Sequence, residues 1–451
     1  MQRDAIDFGK TDVSRLFAKM FFPTLMGLLF GSLLNIADGI FVGRGVGSDA
    51  LAAINVAAPV FLITTGVSLM FATGVSIVAS IHLSRKNFKA ANINITQALT
   101  VPLLLMTIVL AVIDCFPRTV TFLFGGSERL VPLVTDYLLW VSPSMLMCVV
   151  LFVGMFAVRL DGSPNFAMAV NIFEAVLNII LDYVFVFPLG MGIKGAAIAT
   201  SIASILSAAL VLVYMFFFTK TIGFYRPKFS AKAIRLTARN VGYMCRMGFS
   251  TFLGETAICC TMIVGNFMFM RYLREDGVAA FSVACYLFPL VFMAGNAVAQ
   301  SSQPIISYNH GQGNKERVRR TFKIALIVSS VMGVLITILG VTASPLLVDM
   351  FLEPGIAAWK IAVDGFPLYA TCFVFFTLNI VLIGYFQSIE RSRRATLFML
   401  LRGYVLVIPS FLILPRLLGP AGLWLAIPVA ETLTFVTTII TMALPPKHHS
   451  R

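Results

Sequence analysis

The segment Asp49-Ala-Leu-Ala-Ala-Ile-Asn-Val-Ala57 returns 227 positions later as Asp276-Gly-Val-Ala-Ala-Phe-Ser-Val-Ala284. The same shift places Gly192 on Gly419, so the correspondence extends well beyond one segment. Self-similarity at a fixed spacing is the signature of a fold built from repeated units. The sequence therefore predicts two halves with the same architecture.

Long apolar blocks fill both halves. Of 451 residues, 59% are hydrophobic and only 12% are charged, about half the charged fraction of a soluble domain. Each block is long enough to cross a hydrocarbon core of about 30 Å at about 1.5 Å per helical residue. The sequence therefore predicts an all-α integral membrane protein with twelve transmembrane helices, near residues 16–42, 51–81, 95–116, 131–158, 165–189, 193–219, 242–270, 278–305, 322–346, 358–387, 395–415 and 420–444.

A basic stretch at 220–241 separates six predicted spans from the other six. Because each half has an even number of spans, both halves insert the same way up and the repeats are parallel. Transporters built from parallel repeats place their substrate path between the halves. We predict five regions: a cytoplasmic N-terminus (1–15), an N-lobe (16–219), a cytoplasmic linker (220–241), a C-lobe (242–445) and a cytoplasmic tail (446–451).

The distribution of basic residues predicts the orientation. With the N-terminus in the cytoplasm, 25 of the 34 Lys and Arg residues fall on the cytoplasmic side. A bias of this size is a strong topology signal, and it predicts that both termini are cytoplasmic in a multi-pass protein of the cytoplasmic (inner) membrane. It also accounts for the net charge of +14 without nucleic acid, because the basic residues are spread over several short loops.

Ionisable residues inside the spans point to function, because charge is costly there. Asp38 lies in the first span, and Asn171, Glu174, Asn178 and Asp182 fall within about 80° of one face of the fifth. Asp38 and Asp182 both lie roughly 8–11 Å below the predicted outer boundary. Two carboxylates at one depth with an amide one turn away are suited to binding H⁺ or Na⁺. We therefore predict cation coupling at Asp38, Asn178 and Asp182.

Four further residues are candidate contacts for the cation or the substrate: Asn35, Asn171, Glu174 and Glu255. Glu255, in the seventh span, is equally consistent with a protonated carboxyl that is hydrogen-bonded for structural reasons.

Asp182 also has a structural interpretation. In that case it caps a helix end or pairs locally near one, for example with Arg44 or Lys194 at the outer surface.

Motifs of catalysis and of nucleotide or metal binding are missing from the sequence. The glycine-rich segment Gly43-Arg-Gly-Val-Gly47 lacks the preceding strand and the Gly-Lys-Ser/Thr ending of a phosphate loop, and no metalloprotease or nucleophile-elbow pattern occurs. The seven cysteines show no metal-ligand spacing. We therefore predict a protein that is not an enzyme, with no cofactor beyond the coupling ion and no metal site other than a possible Na⁺ site at the coupling residues.

Several segments, in their order and spacing, resemble the multidrug and toxic compound extrusion (MATE) family. The resemblance covers residues from about 15 to 445. The matching segments are Asp38-Gly-Ile-Phe-Val-Gly-Arg-Gly45, Arg159-Leu-Asp-Gly-Ser-Pro-Asn165, Asn178-Ile-Ile-Leu-Asp182, Gly192-Ile-Lys-Gly-Ala-Ala-Ile-Ala-Thr200, Gln303-Pro-Ile-Ile-Ser-Tyr-Asn-His-Gly311, Tyr385-Phe-Gln-Ser388, Arg402 and Gly419-Pro-Ala-Gly-Leu-Trp424.

The resemblance implies two six-helix lobes that form a V, and export of drug-like, often cationic, compounds in exchange for H⁺ or Na⁺. It implies that Asp38, Asn178 and Asp182 carry the ion. Some members use a second-lobe site with a glutamate matched by Glu255 and an aspartate in the tenth span. The interior of the tenth span here contains Thr371, Thr377 and Asn379 but no acid, which favours the first lobe.

Two other classes of membrane protein stay open at this point. A lipid or lipid-linked oligosaccharide flippase of a related fold would share the lobes but would normally have more spans and a cationic interior, whereas Arg402 is the one clear intramembrane cation in the sequence. A channel or scaffold explains the duplication less well, since no filter pattern is visible. The expected partners are small organic cations and drugs and the lipid bilayer, and we expect a monomer.

Overall fold

The computed structural model describes residues 7–46, 48–124, 128–226 and 230–443, and it describes no side chain at 33–40, 42–45, 48, 49, 51, 52 and 55. The predicted tail, 446–451, lies outside the described residues. Helices account for nearly all of the described chain: α1 (Val13–Gly45), α2 (Ser48–Ser84), α3 (Phe88–Cys115), α4 (Pro117–Leu123), α5 (Val131–Leu160), α6 (Pro164–Val186), α7 (Gly192–Phe217), α8 (Ala231–Gly311), α9 (Lys315–Thr342), α10 (Ser344–Asp349), α11 (Ala357–Ala370), α12 (Phe373–Ser388), α13 (Ser392–Leu400), α14 (Val407–Leu418) and α15 (Pro420–Ala443).

The helices confirm the predicted class of fold. In the described chain, ten helical segments are long and apolar enough to cross a membrane. The pair α11 and α12, bent by 43° at a short break, adds one more span. The 81 residues of α8 are interrupted at Arg274, where the backbone is not helical (φ 61°, ψ −152°), so α8 supplies two spans. Counted in this way, the described residues contain twelve spans.

Helix α8 extends into the basic segment that was predicted as the linker. Helix α8 begins at Ala231, eleven residues before the predicted start of the seventh span at 242. The side chain of Ser230 caps the helix by accepting a hydrogen bond from the backbone N–H of Ala233 (3.2 Å). Hydropathy does not predict this extension, because its first turns contain the basic residues Lys232, Arg235 and Arg239.

The chain divides into two compact units. The first runs to Thr256 and includes 301–321 and 388–390, and the second comprises 257–300, 322–387 and the remainder of the described chain. In the first unit α5 packs against α2, α3 and α7, and α6 packs against α1 and α7. In the second unit α15 packs against α11 and α14. The residues of the fifth predicted span therefore lie on α6, between α1 and α7.

An aromatic cluster forms the core of the second unit. Phe269 stacks on Phe281 with ring centroids 4.6 Å apart and meets the edge of Trp424 at 5.0 Å. All three side chains are buried. Close packing of this kind needs a small residue opposite the indole ring, and Gly365 of α11 supplies it: a Cβ there would lie 2.0 Å from Nε1 of Trp424.

Candidate functional site

Helix α6 holds the polar residues that the sequence singled out, and its neighbours divide them into three groups. Asn178 and Asp182 face α7 and are almost fully buried, at 1% and 0% exposure. Glu174 lies one turn away and contacts Ser204 of α7, which in turn lies near Ser144 of α5. Asn171 faces α1. The polar stripe of the sequence is thus a set of adjacent contacts rather than one cluster.

The Asn178 amide bridges two helices. Its nitrogen donates a hydrogen bond to Oδ2 of Asp182 (3.0 Å), and its oxygen accepts one from the backbone N–H of Thr200 on α7 (3.2 Å). This orientation follows from the neighbours, since a carboxylate only accepts hydrogen bonds and a backbone N–H only donates them. Thr200 was not among the predicted site residues. Its contact with Asn178 depends on how α6 and α7 pack, which the sequence pattern does not show.

Glu174 lies in a separate hydroxyl environment. The hydroxyl of Ser204 on α7 donates to Oε1 of Glu174 (2.9 Å). The same hydroxyl lies 3.4 Å from Oγ of Ser144 on α5, and both serines are buried. Glu174 is therefore bound to α7 directly and is linked to α5 through Ser204, and both hydroxyl groups are neutral.

Asn171 lies at a close approach of α1 and α6. A Cβ at Gly27 of α1 would lie 2.7 Å from the amide nitrogen of Asn171, closer than real contacts allow. Glycine at position 27 therefore lets the two helices approach. The structure gives Asn171 a packing role between α1 and α6.

Two predicted residues of α1, Asn35 and Asp38, have side chains outside the described residues. The backbone of α1 is helical at both positions, and α1 packs along α6. The predicted grouping of Asp38 with Asn178 and Asp182 therefore stays a prediction.

Glu255 lies in the part of α8 that belongs to the first compact unit. It is 8% exposed and packs beside Gly66 of α2. A Cβ added at Gly66 would lie 3.5 Å from Cβ of Glu255 and 3.0 Å from Cδ2 of Phe252. It is a buried acid beside a narrow helix crossing.

The second unit contains a buried charged cluster that was not among the predicted sites. Nε of Arg402 donates to Oε1 of Glu431 (2.7 Å), and the amide nitrogen of Asn379 donates to Oε2 of the same carboxylate (2.7 Å). The guanidinium carbon also lies 3.9 Å from the ring centroid of Phe376. Arg402 is part of a π-helical turn, Leu401–Val405. The available signal was that the lone intramembrane cation and an acid of the last span have opposite charges.

The charged residues at the ends of α5 and α7 form a separate pair. Nζ of Lys194 lies 3.2 Å from Oδ2 of Asp136, and both side chains are well exposed. Lys194 therefore has its ion pair with Asp136, which weakens the interpretation of Asp182 as its local partner.

Glu390, in the loop after α12, makes polar contacts with residues towards both ends of α8. Glu390, in a left-handed backbone conformation (φ 60°), accepts a hydrogen bond from the hydroxyl of Tyr243 and lies 3.6 Å from Nε2 of His310. The hydrogen bond from His310 lowers the pKa of Glu390 below its ordinary 4.5, against the opposing effect of partial burial. Glu390 is therefore a carboxylate at neutral pH.

Both halves of the chain match a known protein family. The MatE family profile matches residues 23–184 and 250–412, which together exceed half of the chain and fall in the two sequence halves. The chain belongs to the MatE family. This MatE protein is therefore a multi-pass membrane transporter, and the resemblance seen in the sequence is confirmed.

Several relatives of the MatE chain match it over nearly their whole length. Multidrug export protein MepA of Staphylococcus aureus is 23% identical over 439 residues, which cover 97% of this chain and 95% of MepA. A protein described as FAD transporter, from Shewanella oneidensis, is 24% identical over 429 residues, covering 93% of this chain and 92% of that protein. The names show that relatives at similar distances carry different cargo.

Solved structures share the fold of this MatE protein. An outward-facing multidrug resistance MATE family transporter superposes with a TM-score of 0.87 at 20% identity, over 98% of both chains. A MOP superfamily transporter from Pyrococcus furiosus, whose binding pocket is described as having reverse polarity, superposes with a TM-score of 0.86 at 19% identity, over 98% of both chains. At these identities the likeness shows the fold alone.

Proposed function

We propose that this MatE protein is a secondary active antiporter that exports small organic, often cationic, compounds in exchange for H⁺ or Na⁺. The observation that carries the proposal is the fully buried Asp182, hydrogen-bonded by the Asn178 amide, which also binds the backbone of α7. A buried acid in a membrane helix is costly and marks an ion path by default. The similarity to a multidrug export protein supports a drug-like cargo.

The Asn178 amide suits both charge states of its neighbour. With Asp182 ionised, the amide nitrogen donates to the carboxylate and the amide oxygen accepts from Thr200 N–H. With Asp182 protonated, the amide turns over, so that its oxygen accepts the carboxyl proton. Its nitrogen then lies 3.2 Å from Oγ of Thr200, whose own proton goes to the carbonyl of Ala196 (3.0 Å). Neither state leaves the amide without partners, which favours reversible protonation.

Na⁺ is the alternative coupling ion. Carboxylate and amide oxygens are the hard ligands that a small cation requires, and Asp182 and Asn178 supply one of each kind. We propose Asp38 as the third ligand, on the strength of its predicted depth in α1. The site would then bind one Na⁺ in place of the proton, and the two ions would compete.

The cluster in the second unit bears on the class of cargo. Arg402 is paired with Glu431 and packed on Phe376, so its charge is already neutralised. A flippase for lipid-linked oligosaccharides, or a carrier of an anionic dinucleotide, needs an available positive charge for the phosphates. This pairing favours organic cations, with the buried acid Glu255 as a contact for the cationic group.

We infer that both termini and the 220–241 segment face the cytoplasm, because the bias of Lys and Arg residues supports that orientation. The test is a cysteine at position 228, introduced in a cysteine-free background. We expect no labelling by a membrane-impermeant thiol reagent in intact cells, and full labelling after permeabilisation. Labelling in intact cells would reverse the orientation.

The transport test uses purified protein in liposomes. Tetraphenylphosphonium, a monovalent organic cation, is the probe, and flux is measured with a proton gradient, with a Na⁺ gradient and with neither. We expect uphill flux with one gradient only. Asp182→Asn, which keeps the size and most hydrogen bonds of the side chain, should abolish uphill flux and leave the protein folded. Equal flux without any gradient, or uphill flux of FAD but not of the cation, would contradict the proposal.

A further inference from the structure

Glu174 and Asn178 make parallel contacts across the interface of α6 and α7. Glu174 meets Ser204 and Asn178 meets Thr200, and within each helix the two residues are four positions apart. Residues at this spacing lie one above the other on one helix face. The Glu174 contact therefore repeats the Asn178 contact one turn further along the interface, so the acid lies on the same broad face of α6 as Asp182, two turns away.

The hydroxyls around Glu174 continue this line. Ser204 also lies near Ser144 of α5, at 3.4 Å. Ser207, three residues after Ser204 on the same face of α7, is fully buried, and its hydroxyl has no hydrogen-bond partner within the described part of the chain. Hydroxyl groups both donate and accept, so they stabilise a carboxyl group in either protonation state.

Basic side chains are distant from Glu174. The helices packed against α6 are α1, α5 and α7. The nearest basic residue on α7 is Lys194, about 15 Å along the helix from Ser204, and on α5 it is Arg159, about 22 Å from Ser144. On α1 it is Lys19, about 12 Å from Gly27, where Asn171 makes its contact. Among the described side chains of these helices, no cation lies beside Glu174 to hold it permanently ionised.

The other titratable groups near Glu174 are acidic or neutral. Asp182 lies two turns away on α6, Cys148 lies one turn from Ser144 on α5, and Asp38 lies on α1 with its side chain outside the described residues. A carboxyl group in this setting becomes charged or neutral by losing or gaining a proton, whereas Glu431 in the second unit keeps its charge by pairing with Arg402.

From this geometry we propose that Glu174 is a second proton-binding site of the exchange, one that adds a proton to those carried at Asp38 and Asp182. In each cycle its carboxylate takes a proton from water at one membrane face and releases it to water at the other, and nothing is oxidised or reduced. The proposal rests on the antiport function proposed above. It assigns Glu174 to the ion rather than to the cargo.

The test is the number of protons exchanged per tetraphenylphosphonium ion, obtained from the membrane potential and pH gradient at which net flux in liposomes is zero. We expect the number to fall by one in Glu174→Gln and to be unchanged in Glu174→Asp, which keeps a titrating group. Ser204→Ala should keep the wild-type number. An unchanged number in Glu174→Gln, with only a raised KM for the cation, would make Glu174 a cargo contact and overturn the proposal.

A second measurement applies if Glu174→Gln folds but does not transport. Infrared difference spectra of the purified protein, recorded between alkaline and acidic pH, should show a carboxylic acid band that is lost in Glu174→Gln and kept in Asp182→Asn. A spectrum unaltered by Glu174→Gln would overturn the proposal. Wild-type flux that depends on Na⁺ alone would also overturn it, while the antiport function would stand. Absence of any ion-driven flux would remove the antiport function, but the infrared band would still report whether Glu174 titrates.

Discussion

Two glycines allow α2 and the first part of α8 to cross with their backbones in contact, and we expect substitution of either one to force the helices apart. A Cβ at Gly248 would lie 1.9 Å from the carbonyl oxygen of Met70 on α2. Reciprocally, a Cβ at Gly74 would lie 2.2 Å from the carbonyl oxygen of Met244 on α8. Small residues at helix interfaces are the usual means of close packing in membranes. The perturbation is Gly248→Ala, which adds one methyl group.

The size of the effect follows from the contact distance. To reach an ordinary contact of 3.4 Å, the backbones at Gly248 and Met70 have to separate by about 1.5 Å. Overpacking of this kind costs roughly 1–3 kcal/mol, and we expect the upper end because a backbone carbonyl cannot rotate away as a side chain can. Replacing Gly by Ala inside a helix also stabilises it by about 0.8–1.0 kcal/mol.

A matched control separates these two effects. Gly242 lies on the same helix, is exposed, and has nothing within 4 Å of an added Cβ. Gly242→Ala therefore gains helix propensity without a clash, and the difference in unfolding free energy between the two variants measures the clash alone, about 1–3 kcal/mol.

The assay is thermal unfolding in detergent, followed as the folded fraction that survives heating. We expect the midpoint of Gly248→Ala to fall below wild type and that of Gly242→Ala to equal or exceed it. The double variant Gly74→Ala/Gly248→Ala should cost less than the sum of the two single changes, because one separation of the helices makes room for both methyl groups. Equal midpoints for Gly248→Ala and Gly242→Ala would refute the close crossing.

Three further predictions follow from the polar contacts. Asp182→Asn should reduce gradient-driven uptake of tetraphenylphosphonium to the level of protein-free liposomes with little change in thermal midpoint; retained uphill uptake would exclude the residue from coupling. Arg402→Met should cost about 3–5 kcal/mol because it leaves Glu431 buried and unpaired, whereas Arg402→Met/Glu431→Leu should recover most of that loss; equal damage in both would count against the ion pair. Glu390 has a lowered pKa through its hydrogen bond from His310, so its contribution is present at neutral pH and is lost as the pH falls through that pKa, below 4.5. Between about pH 5 and about pH 3 the thermal midpoint should therefore drop more in wild type than in Glu390→Gln.

Much of the fold could be predicted because membrane insertion depends on local composition. The break in α8 at Arg274 falls between the predicted seventh and eighth spans, where Arg271, Glu275 and Asp276 also interrupt the apolar pattern. The π-helical turn at Leu401–Val405 could not be predicted, because one extra residue in a helix leaves no mark in hydropathy. The structure shows it in the hydrogen bond from the Leu406 N–H to the Leu401 carbonyl (2.9 Å).

The candidate site could be predicted only in part. Helical periodicity placed four polar residues of α6 on one face, and the structure confirms that Asn178 and Asp182 are adjacent. The face is wide enough to meet different helices, so periodicity could not show that Glu174 contacts Ser204 of α7 while Asn171 contacts α1. Partners on other helices, such as Thr200, are set by tertiary packing and carry no signal of their own.

The two units stabilise their buried acids in different ways, and this difference supports the coupling site proposed above. Glu431 is held by a guanidinium group, so protonating it would leave Arg402 as an uncompensated buried charge. Asp182 and Glu174 are hydrogen-bonded by an amide and a hydroxyl, which stabilise a carboxyl group whether or not it is charged. A residue that exchanges an ion has to change charge in every cycle at low cost. We therefore infer that the coupling ion binds in the first unit, and that the pair in the second unit keeps its charges fixed while the cargo and the ion are exchanged.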